Sequence, residues 1–304
     1  MCGIAGFFRK SDDHPDVGRV ALNMLNALAC RGPDSAGVAL YGSPLSGRMV
    51  VRVTLGEHPD ARIPACIHAA VESFGASDFS EVDAYLRFTI AEQTPGAKLN
   101  GLIQAIETVS PEVEVVSVGR ALEVVKQVGS PANLEATFSV SGFLGSHALG
   151  HTRLSTESKV DLSHSQPFWG HGYPDLAIVH NGHITNYHQL RRRYEQRGVR
   201  FYTENDSEVV AIYLAECLEQ GSGLLGAFEA MMKNLDGSFS CLAATASEMG
   251  FIKDPFALKP LVFTETDAFV AVATEEVAIR AALPGDYVVS EPQARDARVW
   301  ARRT

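Results

Sequence analysis

The chain has 304 residues, long enough for one large domain or two modest ones, and its 46% of hydrophobic residues can fill an ordinary globular core. Its 36 acidic and 26 basic residues give a formal net charge of -10, which disfavours a nucleic acid or an anionic membrane as a partner. No stretch approaches the roughly 20 apolar residues of a membrane helix, and the start of the chain lacks a signal-peptide pattern. We therefore expect a cytoplasmic protein with no polynucleotide substrate.

Cysteine usage gives no sign of a metal site or a disulfide framework. The cysteines are odd in number and form no CxxC pair: Cys2, Cys30, Cys66, Cys217 and Cys241. Such scattered residues do not predict bound zinc, an iron–sulfur cluster or a set of disulfides. We expect the four that follow Cys2 to be buried as small hydrophobic residues.

The first elements of the chain are predicted to be a buried strand, a helix and two more strands. The uncharged run 3–8 is typical of a strand buried on both faces, which places Cys2 at its tip. Apolar residues at helical spacing predict a helix at 17–29, ended by a turn at 31–33. Strands are then predicted at 35–41 and 49–54.

The region at about 56–142 changes character and predicts an α/β insert. Its patterns favour helices at 99–108 and 120–128, alternating with strands at 86–91 and 113–118. These patterns are too regular for a disordered loop, so we expect the insert to fold.

The rest of the chain predicts two helices followed by hairpins. The predicted elements are a strand leading to His151, a strand at 176–180, helices at 186–195 and 206–219, and β-rich runs at 238–244, 261–264 and 268–273. The sequence contains no internal repeat and no low-complexity segment. We therefore predict one α+β domain over residues 1–304, interrupted by the insert.

The chemistry suggested by the sequence starts at its second residue. Methionine is usually removed when a small residue follows, which would expose the α-amino group of Cys2. An α-amine has an unperturbed pKa of about 7.7 to 8.0, so a useful fraction is free base near neutral pH. One residue could then supply both nucleophile and base. A Met-Cys start alone is more often accidental, so the interpretation depends on what accompanies it.

Several segments accompany Cys2 in an order that resembles one family. They are CGIAG at 2–6, RGPDSAG at 31–37, HTRLST at 151–156, HNGHITN at 180–186, NDSE at 205–208 and KDPFALKPL at 253–261. Together they resemble the class II glutamine amidotransferases, an N-terminal-nucleophile group that includes glutaminase domains of glutamate synthase and glucosamine-6-phosphate synthase. The combination is far more specific than any one motif, and it spans most of the chain outside the insert.

The resemblance implies a fold and a set of roles. The fold is expected to be the four-layer αββα sandwich of the N-terminal-nucleophile hydrolases, with Cys2 as the catalytic nucleophile. Glutamine presents a carboxylate, which Arg153 is expected to bind, and an ammonium group, which is assigned to Asp206. The Asn181 side-chain amide and the Gly182 N–H are expected to stabilise the developing oxyanion.

Each of these residues also has a simpler structural explanation. Arg153 could be a surface arginine at a strand end, and Asp206 could be the N-cap of its helix. Asn181-Gly182 is also the dipeptide most typical of hairpin turns. The surrounding motifs favour the functional roles, and a carboxylate has enough acceptor positions to serve as both cap and ligand.

Other motif residues receive supporting roles from the resemblance. Arg31 and Gly32 are expected to position the nucleophile, and Thr156 is expected to contribute to glutamine recognition. The chain departs from the family at Leu154, where an aromatic residue commonly follows the binding arginine. The departure removes a stacking surface near the pocket and bears on glutamine affinity more than on chemistry.

The implied reaction passes through a glutamyl thioester and needs no cofactor or metal. The thiolate attacks the γ-carboxamide, the α-amine returns a proton to the leaving ammonia, and water hydrolyses the thioester. Because the α-amine serves as base, no histidine is required. We interpret His151 and His180, which flank motif residues, as structural.

No segment of the sequence resembles a synthase domain that would consume ammonia, so we expect a free-standing subunit of a multi-subunit synthase. The chain most resembles the glutaminase-like subunits of glutamate-synthase-related systems, including N-methylglutamate synthase, whose partners commonly carry flavin and iron–sulfur centres. The insert at 56–142 is interpreted as a docking surface for that partner.

Two other functions stay open at this point. A regulatory subunit that binds glutamine or glutamate but hydrolyses little on its own would keep all of these motifs. A different N-terminal-nucleophile hydrolase, such as an amide acylase, would lack the set formed by Arg153, Asn181-Gly182 and Asp206. An assay of ammonia release by the isolated chain separates the first alternative from a working glutaminase.

Overall fold

The computed structural model describes residues 2–11, 16–57, 59–93, 97–155 and 159–302. Its strands are β1 (Gly3–Arg9), β2 (Ser35–Tyr41), β3 (Arg48–Thr54), β4 (Ser77–Val82), β5 (Tyr85–Ala91), β6 (Glu114–Gly119), β7 (Leu122–Val128), β8 (His147–Arg153), β9 (Phe168–Trp169), β10 (Ala177–Ile184), β11 (Gly237–Ala244), β12 (Glu248–Lys253), β13 (Val262–Glu265), β14 (Phe269–Ala273) and β15 (Ala297–Ala301). Its α-helices are α1 (Val17–Ala27), α2 (Ile63–Val71), α3 (Ala97–Glu107), α4 (Pro131–Phe138), α5 (Tyr187–Gln196), α6 (Asp206–Glu219), α7 (Leu224–Asn234) and α8 (Glu276–Ala282).

Two antiparallel sheets form the centre of the molecule. The first has the strand order β13-β14-β1-β8-β2-β7, and the second has the order β15-β12-β11-β10-β9. The sheets face each other through one shared core, which contains Ile4 and Leu149 from the first sheet and Val179 and Leu242 from the second. Because alternate residues of a strand point to opposite faces, the intervening residues pack outward against helices.

Helices cover the outer face of each central sheet. Helices α1, α4 and α8 pack on the first sheet, where Leu25 and Ile279 meet the outward-facing Phe7. Helices α5, α6 and α7 pack on the second sheet, where Val209 and Phe228 lie in the same cluster as sheet residues. This layering confirms the predicted αββα sandwich.

A third sheet, ordered β4-β5-β3-β6, lies at the side of the sandwich with helices α2 and α3. Side chains of these helices, such as Ile67 and Leu102, belong to the same continuous core as the space between the two central sheets. Strand β3 of this sheet lies before residue 56, whereas β7 lies within 56–142 and belongs to the first sheet, where it pairs with β2. The division into a body and an insert at 56–142 stays a prediction.

Two expectations about local structure are wrong. The helix predicted at 120–128 is replaced by strand β7 at 122–128, because the β-branched Val124 and Val125 pack on opposite faces and the backbone pairs with β2. Of the four later cysteines, Cys217 and Cys241 are buried as expected, but Cys30 and Cys66 are exposed.

Strand β1 explains how the start of the chain is held. It lies between β14 and β8 in the first sheet, and six of its seven residues are buried. The prediction of a strand buried on both faces is confirmed. Cys2 therefore lies at the edge of the sandwich, just ahead of a fully paired strand. Among the described residues, no helix is long and apolar enough to cross a membrane.

Candidate active site

The Cys2 side chain lies between segments that are far apart in the sequence. Its Sγ atom is 3.4 Å from the main-chain nitrogen of Leu154 and 3.6 Å from the oxygen of the same residue. The main-chain oxygen of Cys2 accepts hydrogen bonds from Asn181 Nδ2 at 3.0 Å and from Arg31 Nε at 3.4 Å. Cys2 is partly exposed, so its thiol is accessible from the cavity.

Arg31 and Gly32 lie close to Cys2, and Arg31 contacts the Cys2 main chain. Arg31 ends a short 3₁₀ turn at Ala29–Arg31, and its guanidinium is ion-paired with Glu275. A Cβ atom at Gly32 would lie only 2.3 Å from the main-chain carbon of Thr152, so only glycine fits against β8 there. Neither residue lines the cavity. Glu275 was missed by sequence reasoning, because its partner lies 244 residues away.

Arg153 is the last residue of β8 and is only 4% exposed. Arg153 lines the same cavity as Cys2, and its Nη1 donates a hydrogen bond to the main-chain oxygen of Lys159 at 2.8 Å. Burial lowers the pKa of Arg153, and the neighbouring Cys2, Asp161 and Asp34 oppose that shift. The surface-arginine alternative is therefore wrong: Arg153 is a buried cation facing a polar cavity.

Asn181 and Gly182 lie within strand β10, so the hairpin-turn alternative is also wrong. Asn181 pairs with Ser240 and Gly182 pairs with Phe239 on β11. A Cβ atom at Gly182 would lie 2.4 Å from the main-chain oxygen of Ser238, which explains the glycine. Asn181 is 7% exposed, and its amide faces Cys2 across the space between the sheets.

Asp206 is the first residue of α6, but it is not the cap. The N-cap is Asn205, whose side chain accepts a hydrogen bond from the Ser207 main-chain nitrogen. Asp206 Oδ2 instead accepts a hydrogen bond from the Ile184 main-chain nitrogen at 2.8 Å. Its Oδ1 lies 3.7 Å from His180 Nδ1. A carboxylate at the start of a helix interacts favourably with the helix dipole.

Gln166 and Ser207 also line the cavity; Ser207 lies in the NDSE segment at 205–208, whereas no sequence motif singles out Gln166. Gln166 Oε1 accepts a hydrogen bond from the His180 main-chain nitrogen at 2.6 Å, and Nε2 donates to the His180 oxygen at 2.9 Å. The Ser207 hydroxyl lies 2.9 Å from His180 Nδ1. The pairing of β9 with β10 does not extend beyond Ile178. The Gln166 side chain therefore provides the hydrogen bonds that a neighbouring strand would otherwise make to the His180 main chain.

These residues surround one cavity of about 780 Å³. Of the predicted site residues, Cys2, Arg153, Asn181, Gly182 and Asp206 line it. Thr156 lies outside the described residues. Its lining thus includes the cysteine, the buried arginine, the aspartate and the asparagine expected from the sequence. No group of histidine, cysteine, aspartate and glutamate residues in the described part of the chain could hold a metal ion.

Known proteins give an independent view of the chain. The model of a family described as a glutamine amidotransferase domain matches residues 151–281. The glutamine amidotransferase-like protein GlxB of Rhizobium meliloti is 34% identical over 99% of this chain and 95% of its own length. The structure of an allosteric regulatory enzyme of purine biosynthesis superposes on 99% of this chain with a TM-score of 0.64 at 19% identity. A glutamine phosphoribosylpyrophosphate amidotransferase from B. subtilis gives a TM-score of 0.61, also at 19% identity.

The two solved structures share the fold, and this chain spans about half of their length, 47% and 49%. The sandwich, with a cysteine ahead of a central strand, has the fold of these two structures, which is the αββα fold expected of an N-terminal-nucleophile hydrolase. Within that class, the full-length relative and the family model show that the chain belongs to the class II glutamine amidotransferases. It is an enzyme of the amidotransferase class.

Proposed function

We propose that this chain is a glutaminase subunit that releases ammonia from glutamine and delivers it to a synthase partner. The observation that carries the proposal is the position of the Cys2 thiol in one cavity with Arg153 and Asp206. A free amino acid needs one cation for its carboxylate and one anion for its ammonium group. Arg153 and Asp206 provide one of each in the cavity wall, to which Arg191 and Glu204 also belong.

In this proposal, glutamine binds with its carboxylate on Arg153 and its ammonium group on Asp206. A planar guanidinium can form two parallel hydrogen bonds with a carboxylate. Asp206 has one oxygen bonded to Ile184, and the other retains acceptor capacity for an ammonium group. Thr156 is proposed to contribute to glutamine recognition as well.

We propose that glutamine hydrolysis proceeds in two steps. The α-amine of Cys2 takes the thiol proton, the sulfur forms a bond to the γ-carbon of glutamine, the carbon–nitrogen bond breaks, and the amine passes the same proton to the leaving ammonia. Water then attacks the thioester, the carbon–sulfur bond breaks, and glutamate is released. The Asn181 amide and the Gly182 N–H are proposed to hold the oxyanion in both steps. Arg31 and Gly32 are proposed to position Cys2.

The proposed recipient of the ammonia is a synthase of the glutamate synthase or N-methylglutamate synthase type. Support for this part comes from sequence resemblance alone. Co-purification of the chain with flavin-bearing or iron–sulfur-bearing subunits, followed by glutamine-dependent synthesis in the complex, is the direct test.

One experiment tests the glutaminase itself. Intact-mass analysis of the purified chain should show loss of Met1, and treatment with a glutamine-mimicking diazo-ketone should add one label, at Cys2. Ammonia release from glutamine should be lost in parallel with labelling. Fully active protein that retains Met1 would rule out the α-amine as base. Stoichiometric glutamine binding without ammonia release would instead favour a regulatory subunit.

A further inference from the structure

His151 has a buried ring that the proposed chemistry leaves unexplained. It is 1% exposed, and neither of its ring nitrogens has a hydrogen-bond partner among the described residues. It lines the cavity that contains Cys2. Most buried polar atoms in folded proteins are hydrogen-bonded, and leaving one unpaired costs roughly 1–3 kcal/mol. A ring with two unpaired nitrogens beside a cavity therefore indicates a small polar guest.

The fold places this ring just inside the reacting cysteine. His151 lies two residues before Arg153 on β8, so both side chains are on the same face of the sheet. That face looks into the space between the two central sheets, because Leu149, two residues earlier, belongs to the shared core. On the neighbouring strand, His151 pairs directly with Ile4, which is two residues inward from Cys2. Two residues of a strand span roughly 7 Å, so the ring lies about one layer deeper than the thiol.

The character of the ring restricts what it can bind. Burial lowers the pKa of His151 to about 3, and the charges of Arg153 and His180 push in the same direction. A contact with the His180 main chain, whose geometry does not make a hydrogen bond, opposes them. The His180 oxygen already accepts a hydrogen bond from Gln166. A neutral imidazole carries one N–H donor and one acceptor nitrogen. Its guest must therefore be small, uncharged and able to both donate and accept a hydrogen bond.

Ammonia meets these requirements and is formed at the adjacent residue. We propose that His151 forms a binding site for the neutral ammonia that leaves Cys2, an inference that rests on the proposed glutaminase function. Ammonium does not fit, because it has no lone pair and would lie near the Arg153 cation. A neutral ring also does not protonate the guest, so the released ammonia keeps the lone pair that a later acceptor needs.

The same site should also favour the reverse reaction, in which ammonia attacks the glutamyl thioester. Ammonia held beside His151 can attack the glutamyl thioester: a carbon–nitrogen bond forms, the carbon–sulfur bond breaks with the thiolate leaving, and one proton passes from nitrogen to the α-amine of Cys2. Glutamine is thereby re-formed. The competition between this step and hydrolysis reports on how well the site holds ammonia.

Nuclear magnetic resonance of protein with ¹⁵N-labelled histidine tests binding without turnover. Ammonium chloride is added at the same total concentration at pH 7 and pH 9, with sodium chloride as the control for ionic strength, and a His151→Asn sample assigns the signals. The His151 nitrogen signals should move with the concentration of free ammonia, and so more at pH 9. Signals that do not move, or that move equally with sodium chloride, overturn the proposal and leave water as the guest.

An isotope experiment tests the same site during turnover. Wild-type protein and His151→Leu are incubated with glutamine and ¹⁵N-ammonium, and ¹⁵N-glutamine is measured against glutamate. The ratio should fall by on the order of tenfold in His151→Leu, since the guest loses its hydrogen bonds. The matched control is His147→Asn on the same strand, because the His147 nitrogens are already bonded to Ser146 and Thr245.

The outcomes separate the two proposals. A structural role for His151 would slow Cys2 labelling, hydrolysis and ¹⁵N incorporation together, with an unchanged ratio, and would overturn the ammonia site. If wild-type protein neither hydrolyses glutamine nor incorporates ¹⁵N, the glutaminase proposal fails. The resonance experiment still decides in that case whether His151 binds ammonia.

Discussion

The side-chain amide of Asn181 donates a hydrogen bond to the main-chain oxygen of Cys2 at 3.0 Å. The contact joins the two facing sheets at the site, because Cys2 precedes β1 of the first sheet and Asn181 lies on β10 of the second. An amide nitrogen has two N–H groups, so this bond leaves one for a developing oxyanion. The same residue can thus fix the nucleophile and stabilise charge.

Replacement of Asn181 by alanine should therefore mainly lower kcat. The loss of one oxyanion donor typically costs about 10²–10³ in kcat, and the lost bond to Cys2 adds to it. Steady-state kinetics of ammonia release give the measurement. Asn234→Ala is the matched control, since the Asn234 side-chain amide donates hydrogen bonds to Tyr213 and Ala230 at the end of α7, away from the cavity. A large rise in KM with unchanged kcat would mean that Asn181 binds substrate instead.

In contrast to Asn181→Ala, the variants Arg153→Lys and Asp206→Asn should mainly raise KM and change kcat less. Lysine keeps the charge but cannot form the two parallel hydrogen bonds of a guanidinium, and asparagine keeps an acceptor for Ile184 but loses the charge. We expect KM for glutamine to rise about tenfold or more in each, roughly 1.4 kcal/mol, with a smaller change in kcat. Arg298→Lys, at an exposed site on β15, is the control. Equal losses in kcat across both site variants would show that these roles are misassigned.

Gly32→Ala should destabilise the protein and displace Cys2. The new methyl group would lie 2.3 Å from the Thr152 main-chain carbon, and a clash with main chain cannot be relieved by a rotamer change. The matched control is Gly101→Ala within α3, where nothing lies within 4 Å of the new Cβ. There we expect a gain of about 0.5–1 kcal/mol, because alanine favours a helix. Urea unfolding measures both, and equal stabilities would contradict the packing argument.

The sequence was sufficient for the elements whose pattern is local. Helix α6 begins and ends where its pattern predicts, and β1 is a buried strand as expected. The error at 120–128 arose because apolar residues in a short run do not distinguish helix from strand. Pairing with β2, more than 80 positions earlier in the chain, decided the outcome.

The candidate site likewise contains residues that the sequence predicts and residues that it does not. Motif resemblance identified Cys2 and Arg153, and the structure brings both to one cavity. It could not identify Glu275 or Gln166, because an isolated acid or amide carries no local signal. Their partners become neighbours only when distant strands pair.

Buried histidines should make stability depend on pH. Burial lowers the pKa of His147 and of His151 to about 3, whereas an unfolded histidine titrates near 6.5. Between these values the unfolded state binds more protons, so stability is complete above about pH 6.5 and falls as pH falls towards 3. Each histidine contributes a loss of about 1.4 kcal/mol per pH unit in that window.

Urea unfolding at pH 7.5 and pH 5.5 measures this effect. Carboxylates contribute too, so the informative quantity is the change caused by one substitution. His147→Gln should reduce the loss of unfolding free energy between the two pH values by about 1.4 kcal/mol. His188→Gln, at an exposed position on α5, should leave it unchanged. An undiminished loss in His147→Gln would show that His147 is not held neutral in the folded state.

Deletion of residues 56–142 should prevent stable folding, which bears on how the docking role of this region can be tested. The deletion removes β7 and leaves the backbone of β2 without its partner at the edge of the first sheet. It also strips Leu122 and Val124 from the core that β2 shares through Ala39 and Tyr41. We expect aggregation, or a melting temperature at least 10 °C lower, since about 1 kcal/mol shifts the midpoint by roughly 2–4 °C in a domain of this size.

Replacing the exposed residues 43–46 between β2 and β3 with a glycine-serine linker is the control and should leave the melting temperature nearly unchanged. A deletion variant that melts like the wild type and still releases ammonia would show that the region is an independent appendage. Only in that case could a loss of partner binding on deletion be assigned to a docking surface.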